Sequence, residues 1–154
     1  MEIRDPREFL NFFDKVHQRT MKVVRLIPAD QVDWTYREDR FTLGELARHI
    51  AASNRHIFAE TARGGPLSYA GCGKELASSY EEILAYCERM HRQAVEILSA
   101  LSPDDLAGEC TTPGGSRLTT WNGCAQWSST KFTIAANSTF IYRCSVSPRR
   151  RCSD

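Results

Sequence analysis

The sequence contains four histidines, and these are the side chains best suited to bind a metal ion: His17, His49, His56 and His91. A neutral imidazole is a good ligand for zinc, nickel or iron, and a histidine on a bundle helix can point into the interior. His49 and His56 are seven residues apart and would lie on the same side of a helix. Two turns rise about 10 Å, however, which is too far for one metal ion. Spacing alone therefore favours packed or solvated histidines over metal ligands.

The other chemically notable side chains have simple structural interpretations. Cys87 falls on the apolar face of a predicted helix and is expected to act as a small hydrophobic residue. Cys72 stands between two glycines and is expected to be exposed, with no identifiable base nearby. Glu82 follows Ser79 at the spacing of a helix capping box, so it is not expected to form a catalytic carboxylate pair with Glu81.

The composition is that of a globular domain with one core. Its 154 residues include 25% charged and 42% hydrophobic residues, which are ordinary values. Residues 1–121 carry 15 Lys/Arg against 18 Asp/Glu, so no basic stripe is available for phosphate contacts and nucleic-acid binding is not expected. No apolar run reaches membrane-spanning length, and the charged first residues do not resemble a secretory signal. Three cysteines without CxxC spacing in this part fit reduced thiols, so we expect a cytoplasmic protein without membrane partners.

Three amphipathic helices are predicted within residues 5–101. Each has a start signal: Asp5 before a proline, and the capping boxes Thr42–Glu45 and Ser79–Glu82. Pro28 ends the first helix and Gly64 ends the second. The buried side of the second helix is expected to consist of Leu46, Ile50, Ile57 and Phe58. Three such helices leave a groove that needs a fourth helix.

A fourth helix begins in the sequence at Trp121, after an N-cap at Thr119 or Thr120, but its pattern then fails. Residues 122–154 contain no Leu, Glu or His, five basic residues against one acidic residue, and three of the six cysteines. Asn122-Gly123 is a turn signal. We therefore expect an incomplete helical domain over residues 1–121 and an irregular tail over residues 122–154.

Several ordered segments of the chain resemble the DinB/YfiT superfamily. These are the stretch FTLGELARHIA at residues 41–51, the preceding Arg25–Pro28 and Asp33-Trp34, and the Thr112–Gly115 loop. The resemblance covers residues 5–121. It implies an all-α DinB-like four-helix bundle, often dimeric, in which three native-like helices remain here and the irregular tail replaces the fourth.

The resemblance also implies a metal site. Members of the superfamily bind a divalent metal, zinc or nickel, through one histidine on the second helix and an HxxxH pair on the fourth. The second-helix histidine corresponds to His49. The HxxxH pair has no counterpart, because no histidine follows His91. Members include metal-dependent hydrolases and thiol-dependent transferases or isomerases that act on small molecules.

A reading-frame slip accounts for the missing pair. If one base was lost in the codon after Trp121, residues 122–154 back-translate, with permitted codons, into an amphipathic sequence containing H-E-I-H-H followed by R-G-Q. Its HxxxH histidines take the positions of Thr130 and Ile134. The constraint is real because codons for Cys, Trp, Phe and Tyr begin with T, and a middle T in the other frame encodes only apolar residues. We therefore predict that the tail is out of frame.

Two functions from different classes follow from the sequence. The first is a DinB-family protein, ancestrally a metal-dependent hydrolase or thiol-dependent transferase, that is inactive in this chain because the HxxxH pair is missing. A single histidine such as His49 does not hold a divalent metal well, since catalytic sites generally use three protein ligands and a water. The alternative is a non-enzymatic interaction module in which the basic, Ser/Thr-rich tail recruits a partner. Metal content distinguishes the two.

Overall fold

The computed structural model describes residues 5–123, whose regular structure is helical apart from one short hairpin. The helices are α1 (Pro6–Val24), α2 (Leu43–Ser53), α3 (Glu60–Arg63), α4 (Tyr80–Ser99) and α5 (Pro103–Ala107). Single turns of 3-10 helix occur at Ala29–Gln31 and Lys74–Leu76. The strands β1 (Glu109–Thr111) and β2 (Arg117–Thr119) pair antiparallel, with Cys110 opposite Leu118. The all-α bundle predicted from the sequence is confirmed, and the hairpin occupies part of what was expected to be a loop.

Side-chain caps fix the start of each long helix where the sequence predicts it. The Asp5 carboxylate accepts a hydrogen bond from the backbone N–H of Arg7 at 2.8 Å. The Thr42 hydroxyl accepts from the N–H of Glu45 at 3.1 Å, and the Glu45 carboxylate accepts from the N–H of Thr42 at 2.8 Å. Ser79 and Glu82 form the same reciprocal box at the start of α4. Each cap is worth about 1 kcal/mol of helix stability.

The second predicted helix contains a π-helical turn. α2 continues through the π-helical residues Asn54–Ala59 into α3, which ends at Gly64 in the left-handed conformation (φ +70°). A π-turn holds an additional residue, so it changes which side chains face the core. The expected buried side is therefore only partly right. Ile50 is buried, whereas Leu46, Ile57 and Phe58 are half-buried and alanines replace them in the core: Ala47, Ala51, Ala52, Ala59 and Ala62.

The contacts between the long helices show their relative directions. Near the start of both helices, the Cys87 thiol of α4 donates to the Ala47 carbonyl of α2 at 3.7 Å, and at their far ends Ala62 and Leu98 share one hydrophobic cluster. The α2–α3 rod and α4 are therefore parallel. α1 is antiparallel to both, because its last residues lie beside Tyr80 and its first turns beside Leu98. The connection over residues 64–79 returns the chain to the end at which α2 began.

The core consists of two hydrophobic clusters along the bundle. The first lies where α1 begins and α4 ends, and includes Phe9, Phe13, Ala59, Ala62, Ala94, Leu98, Leu101 and Leu106. The second lies at the opposite end and includes Met21, Val24, Ala47, Ala51, Ala52, Ala77, Ile83, Tyr86, Cys87 and Met90. Large residues of α1 and α4 thus pack on small residues of α2, which allows close approach of the helices.

A helical turn over residues 120–123 ends the described part of the chain. Its Trp121 is half-buried and packs against the first cluster. The helix predicted to start at this tryptophan is thus present for one turn, and Asn122 and Gly123 belong to it. The irregular tail predicted for residues 122–154 lies, from residue 124 on, outside the described residues. Within residues 5–123 no helix is long and apolar enough to cross a membrane.

Arg48 is the most deeply buried charged side chain of α2, with 1% of its surface exposed. Its Nε donates to the carbonyl of Cys72 at 2.7 Å, and its Nη1 donates to the carbonyl of Ala77 at 2.8 Å. Gly44, one turn earlier, makes room for it, since a Cβ there would lie 3.2 Å from Nη1. The guanidinium therefore attaches the 64–79 connection to α2.

We expect Arg48→Met to lower the free energy of unfolding by about 2–4 kcal/mol, because two largely buried carbonyls would lose a charged donor. Urea unfolding followed by circular dichroism measures the loss. Arg92→Met, at an exposed position of α4, is the matched control and should change stability little. An equal effect of the two substitutions would contradict this role for Arg48.

Candidate functional site

His49 lies in the second turn of α2, half-buried between two aromatic rings. The Phe41 ring stacks on its imidazole at a centroid distance of 5.4 Å, and the Tyr69 ring meets it edge-on at 5.6 Å. The Tyr69 hydroxyl is 2.7 Å from His49 Nδ1. These contacts fix the plane and direction of the imidazole, which is the condition for a histidine to serve as a ligand.

The environment of His49 keeps it neutral. Burial lowers the pKa of His49 below its ordinary value of 6.5. Burial, followed by interaction with Cys72, raises the pKa of Tyr69 to about 12, so its hydroxyl stays protonated near neutral pH. When Nδ1–H donates to the Tyr69 oxygen, the lone pair of Nε2 is available, and no residue within 5–123 forms a hydrogen bond with Nε2. The imidazole is thus prepared to coordinate a metal ion through Nε2.

The loop that carries Tyr69 is positioned by Arg48. Arg48 donates to the carbonyl of Cys72, three residues after Tyr69. Arg48, which precedes His49 in the sequence, therefore also positions Tyr69, the hydrogen-bond partner of His49. Sequence reasoning missed both Arg48 and Tyr69. A signal for Arg48 was present, since an arginine four residues after Gly44 lies on the face of α2 that carries small residues.

A small cavity of about 180 Å³ adjoins the aromatic side of His49. It is lined by the connector before α2 and its first turn, and it includes Trp34, Tyr36 and Phe41, the last of which stacks on the histidine. Aromatic walls of this kind are typical of sites for small molecules. Apolar surface is therefore available next to the imidazole.

His56 lies on the π-turn and belongs to a different set of contacts. Its Nδ1 is 3.1 Å from the Ser68 hydroxyl, and burial, followed by repulsion from Arg55, lowers its pKa. The prediction that His56 is a packed or solvated histidine agrees with this position. Within residues 5–123, no group of three His, Cys, Asp or Glu side chains is close enough to hold a metal ion.

The other two histidines pair with each other in the bundle interior. The rings of His17 and His91 stack at 3.7 Å with an interplanar angle of 3°. Nε2 of His17 is 3.1 Å from a Glu88 carboxylate oxygen, and Nε2 of His91 is 3.2 Å from one of Asp14. Each bond joins α1 to α4. Both histidines are buried and hydrogen-bonded, in agreement with the sequence-based expectation of packed or solvated histidines.

The remaining singled-out residues have the structural roles expected from the sequence, with one difference. Cys87 is buried against α2. Glu82 accepts hydrogen bonds from the backbone at Ser78 and Ser79, so it serves as a cap. Cys72, expected to be exposed, is half-buried.

The donor set fits one metal ligand and not a complete site. His49 has a held ring, a neutral imidazole and an open Nε2, as a ligating histidine requires. A catalytic zinc site needs two further protein ligands, and residues 5–123 bring none to His49. No chemical step through a metal follows from the described residues.

We expect the imidazole of His49 to titrate below pH 6.5. Since the unfolded chain binds this proton more readily than the folded chain, the contribution of His49 to stability is complete above the unfolded pKa and is lost as the pH falls below it. NMR titration of the histidine ring signals, assigned with His49→Gln, gives the midpoint. A midpoint at or above 6.5 would show that burial does not control this histidine.

The chain is similar to known proteins in both sequence and fold. The model of the DinB superfamily matches residues 13–129. The fold is similar to that of YfiT from Bacillus subtilis, a probable metal-dependent hydrolase with an unusual four-helix bundle topology (TM-score 0.69, 15% identity, 94% of this chain and 90% of YfiT). It is also similar to the H52A mutant of the mycothiol-dependent maleylpyruvate isomerase (TM-score 0.68, 12% identity, 87% of this chain and 60% of the isomerase). The match thus spans less than two thirds of the isomerase.

No protein of curated function matches the sequence significantly. Because the family model covers most of the sequence, the chain belongs to the DinB superfamily.

Proposed function

We propose that this protein derives from a small-molecule enzyme of the DinB superfamily, a metal-dependent hydrolase or a thiol-dependent transferase, and retains one metal ligand, His49. The observation that carries the proposal is the Tyr69–His49 hydrogen bond of 2.7 Å, which holds the ring and leaves Nε2 open. The metal, zinc or nickel, would polarise an oxygen or activate water or a thiol when bound.

The structural neighbours support the class of chemistry. One is a probable metal-dependent hydrolase and the other a mycothiol-dependent isomerase. At 12% and 15% identity they share the fold with this chain, so their reactions enter here as a proposal. The proposal also includes a cytoplasmic location and assembly as a homodimer.

We further propose that the chain as written is inactive, because no histidine follows His91 and the HxxxH positions hold Thr130 and Ile134. One imidazole binds a divalent metal far more weakly than three. The frame slip after Trp121 explains how a chain with a preserved first ligand came to lose the other two. Sequencing the gene across this codon tests the slip directly, and a second frame without an HxxxH motif would disprove it.

Metal content tests the proposed function at the protein level. The chain as written and a chain with one base restored at codon 122 are purified, loaded with Zn²⁺ or Ni²⁺, dialysed and measured by mass spectrometry of the metal. We expect far less than one metal ion per chain in the first and about one in the second.

Two controls separate the explanations. In the restored chain, His49→Gln should lower metal affinity by about tenfold or more, whereas His56→Gln should not. Unit stoichiometry in the chain as written would contradict the loss of ligands. Absence of metal from both chains would favour the interaction module over the enzyme.

A further inference from the structure

A cavity of about 930 Å³ lies at the end of the bundle where α3 and α4 terminate. Its walls are the end of α3 and the glycines that follow, the last turn of α4, α5 and β1. None of its lining residues takes part in the contacts of His49. Its volume lies within the range of pockets that bind small molecules.

The inner wall of the cavity is apolar. Ala62 and Leu101 are buried members of the first core cluster, and Ile97 packs against that cluster. Leu67, on the connection after α3, lines the same cavity with 48% of its surface exposed. A ligand with a hydrocarbon body would cover this surface and gain free energy by removing it from water.

The charged residues around the cavity are mostly acidic: Glu96, Asp104, Asp105 and Glu109, against the single base Arg63. Arg63 Nε is 2.5 Å from the buried carboxylate of Glu60, which Arg55 also contacts, and Glu109 is paired with Arg117. The excess of negative charge around the cavity therefore comes from Glu96, Asp104 and Asp105. Hydrogen bonds from Ser102 lower the pKa of Asp105, so this carboxylate remains ionised at neutral pH. Glu96 and Asp104 form no ion pair within residues 5–123. The cavity therefore favours a cation.

A buried hydroxyl without a partner lies in the same wall. Thr61 is 4% exposed, and its Oγ1 is buried without a hydrogen-bond partner. Native proteins satisfy nearly all buried polar atoms, since a buried hydroxyl without a partner costs free energy. Thr61 lines the cavity, and rotation of its side chain about the Cα–Cβ bond would bring the hydroxyl to the cavity surface, where a polar group of a bound molecule would supply the missing partner.

We propose that this cavity binds a small organic cation: an ammonium group on a short alkyl chain that carries a second polar group. The ammonium lies near the carboxylates of Glu96 and Asp104, the chain covers the Leu101 wall, and the second polar group forms a hydrogen bond with the Thr61 hydroxyl. This site is separate from the metal site and does not depend on it. No bond is formed or broken in the binding.

The probe is 5-amino-1-pentanol, which has all three features, and binding is followed by two-dimensional NMR of the full chain. Pentylamine lacks the second polar group and 1,5-pentanediol lacks the charge. We expect the amino alcohol to bind with signal changes at the cavity residues, pentylamine to bind about fivefold more weakly, and the diol about tenfold more weakly. His49→Gln should leave binding unchanged, so a failure of the metal proposal would not affect this result.

Variants then test the named residues. Glu96→Gln combined with Asp104→Asn should weaken binding by about tenfold, whereas Glu81→Gln, exposed at the start of α4, is the matched control and should not. Thr61→Val should weaken binding of the amino alcohol but not of pentylamine. It should also raise the thermal midpoint of the free protein, because it removes a buried hydroxyl that has no partner.

Selective binding of the amino alcohol that is reduced by the acidic variants supports the proposal. Absence of binding at millimolar concentration, equal binding of the diol, or a Thr61→Val variant that is less stable and binds normally would overturn it.

Discussion

The bond of Arg48 to the connection over residues 64–79 is the interaction on which the arrangement of the bundle depends. α2 and α4 run parallel, so the chain must return along the length of the molecule between them, and it does so without an α-helix. A guanidinium can hold such a segment because it presents several donors in fixed directions and stays charged. Its donation to Cys72 and Ala77 joins the returning chain to the start of α2.

The same bond determines the geometry at His49. Tyr69 belongs to the attached connection, and its hydroxyl holds the imidazole of the residue that follows Arg48 in α2. Helix, connection and histidine thus form one unit, in which the position of the ring does not depend on a metal ion. In the proposed ligand role, an imidazole that is already oriented would lose little freedom on binding a metal ion.

The two ends of the bundle carry different kinds of side chains, so their cavities differ in chemistry. At the His49 end, aromatic residues line a small cavity, and one of them, Phe41, also stacks on the imidazole. At the other end, helix termini, glycines and carboxylates surround a larger one. Between them, the stacked His17 and His91 join α1 to α4 through carboxylates on the opposite helix. Specific polar contacts therefore complement a core in which large residues of α1 and α4 pack on the alanines of α2.

The sequence by itself determined the helices, their caps and the family, because local signals such as the Thr42–Glu45 box and apolar periodicity act within a few residues. It also pointed to His49, through resemblance and not through spacing. Only the tertiary structure decided the π-turn, the burial of Arg48 and the choice of Tyr69 as partner of His49. The last two depend on contacts between residues 20 to 29 positions apart, made by a connection without periodicity. Such contacts exist only once the helices have packed, and no local pattern specifies them.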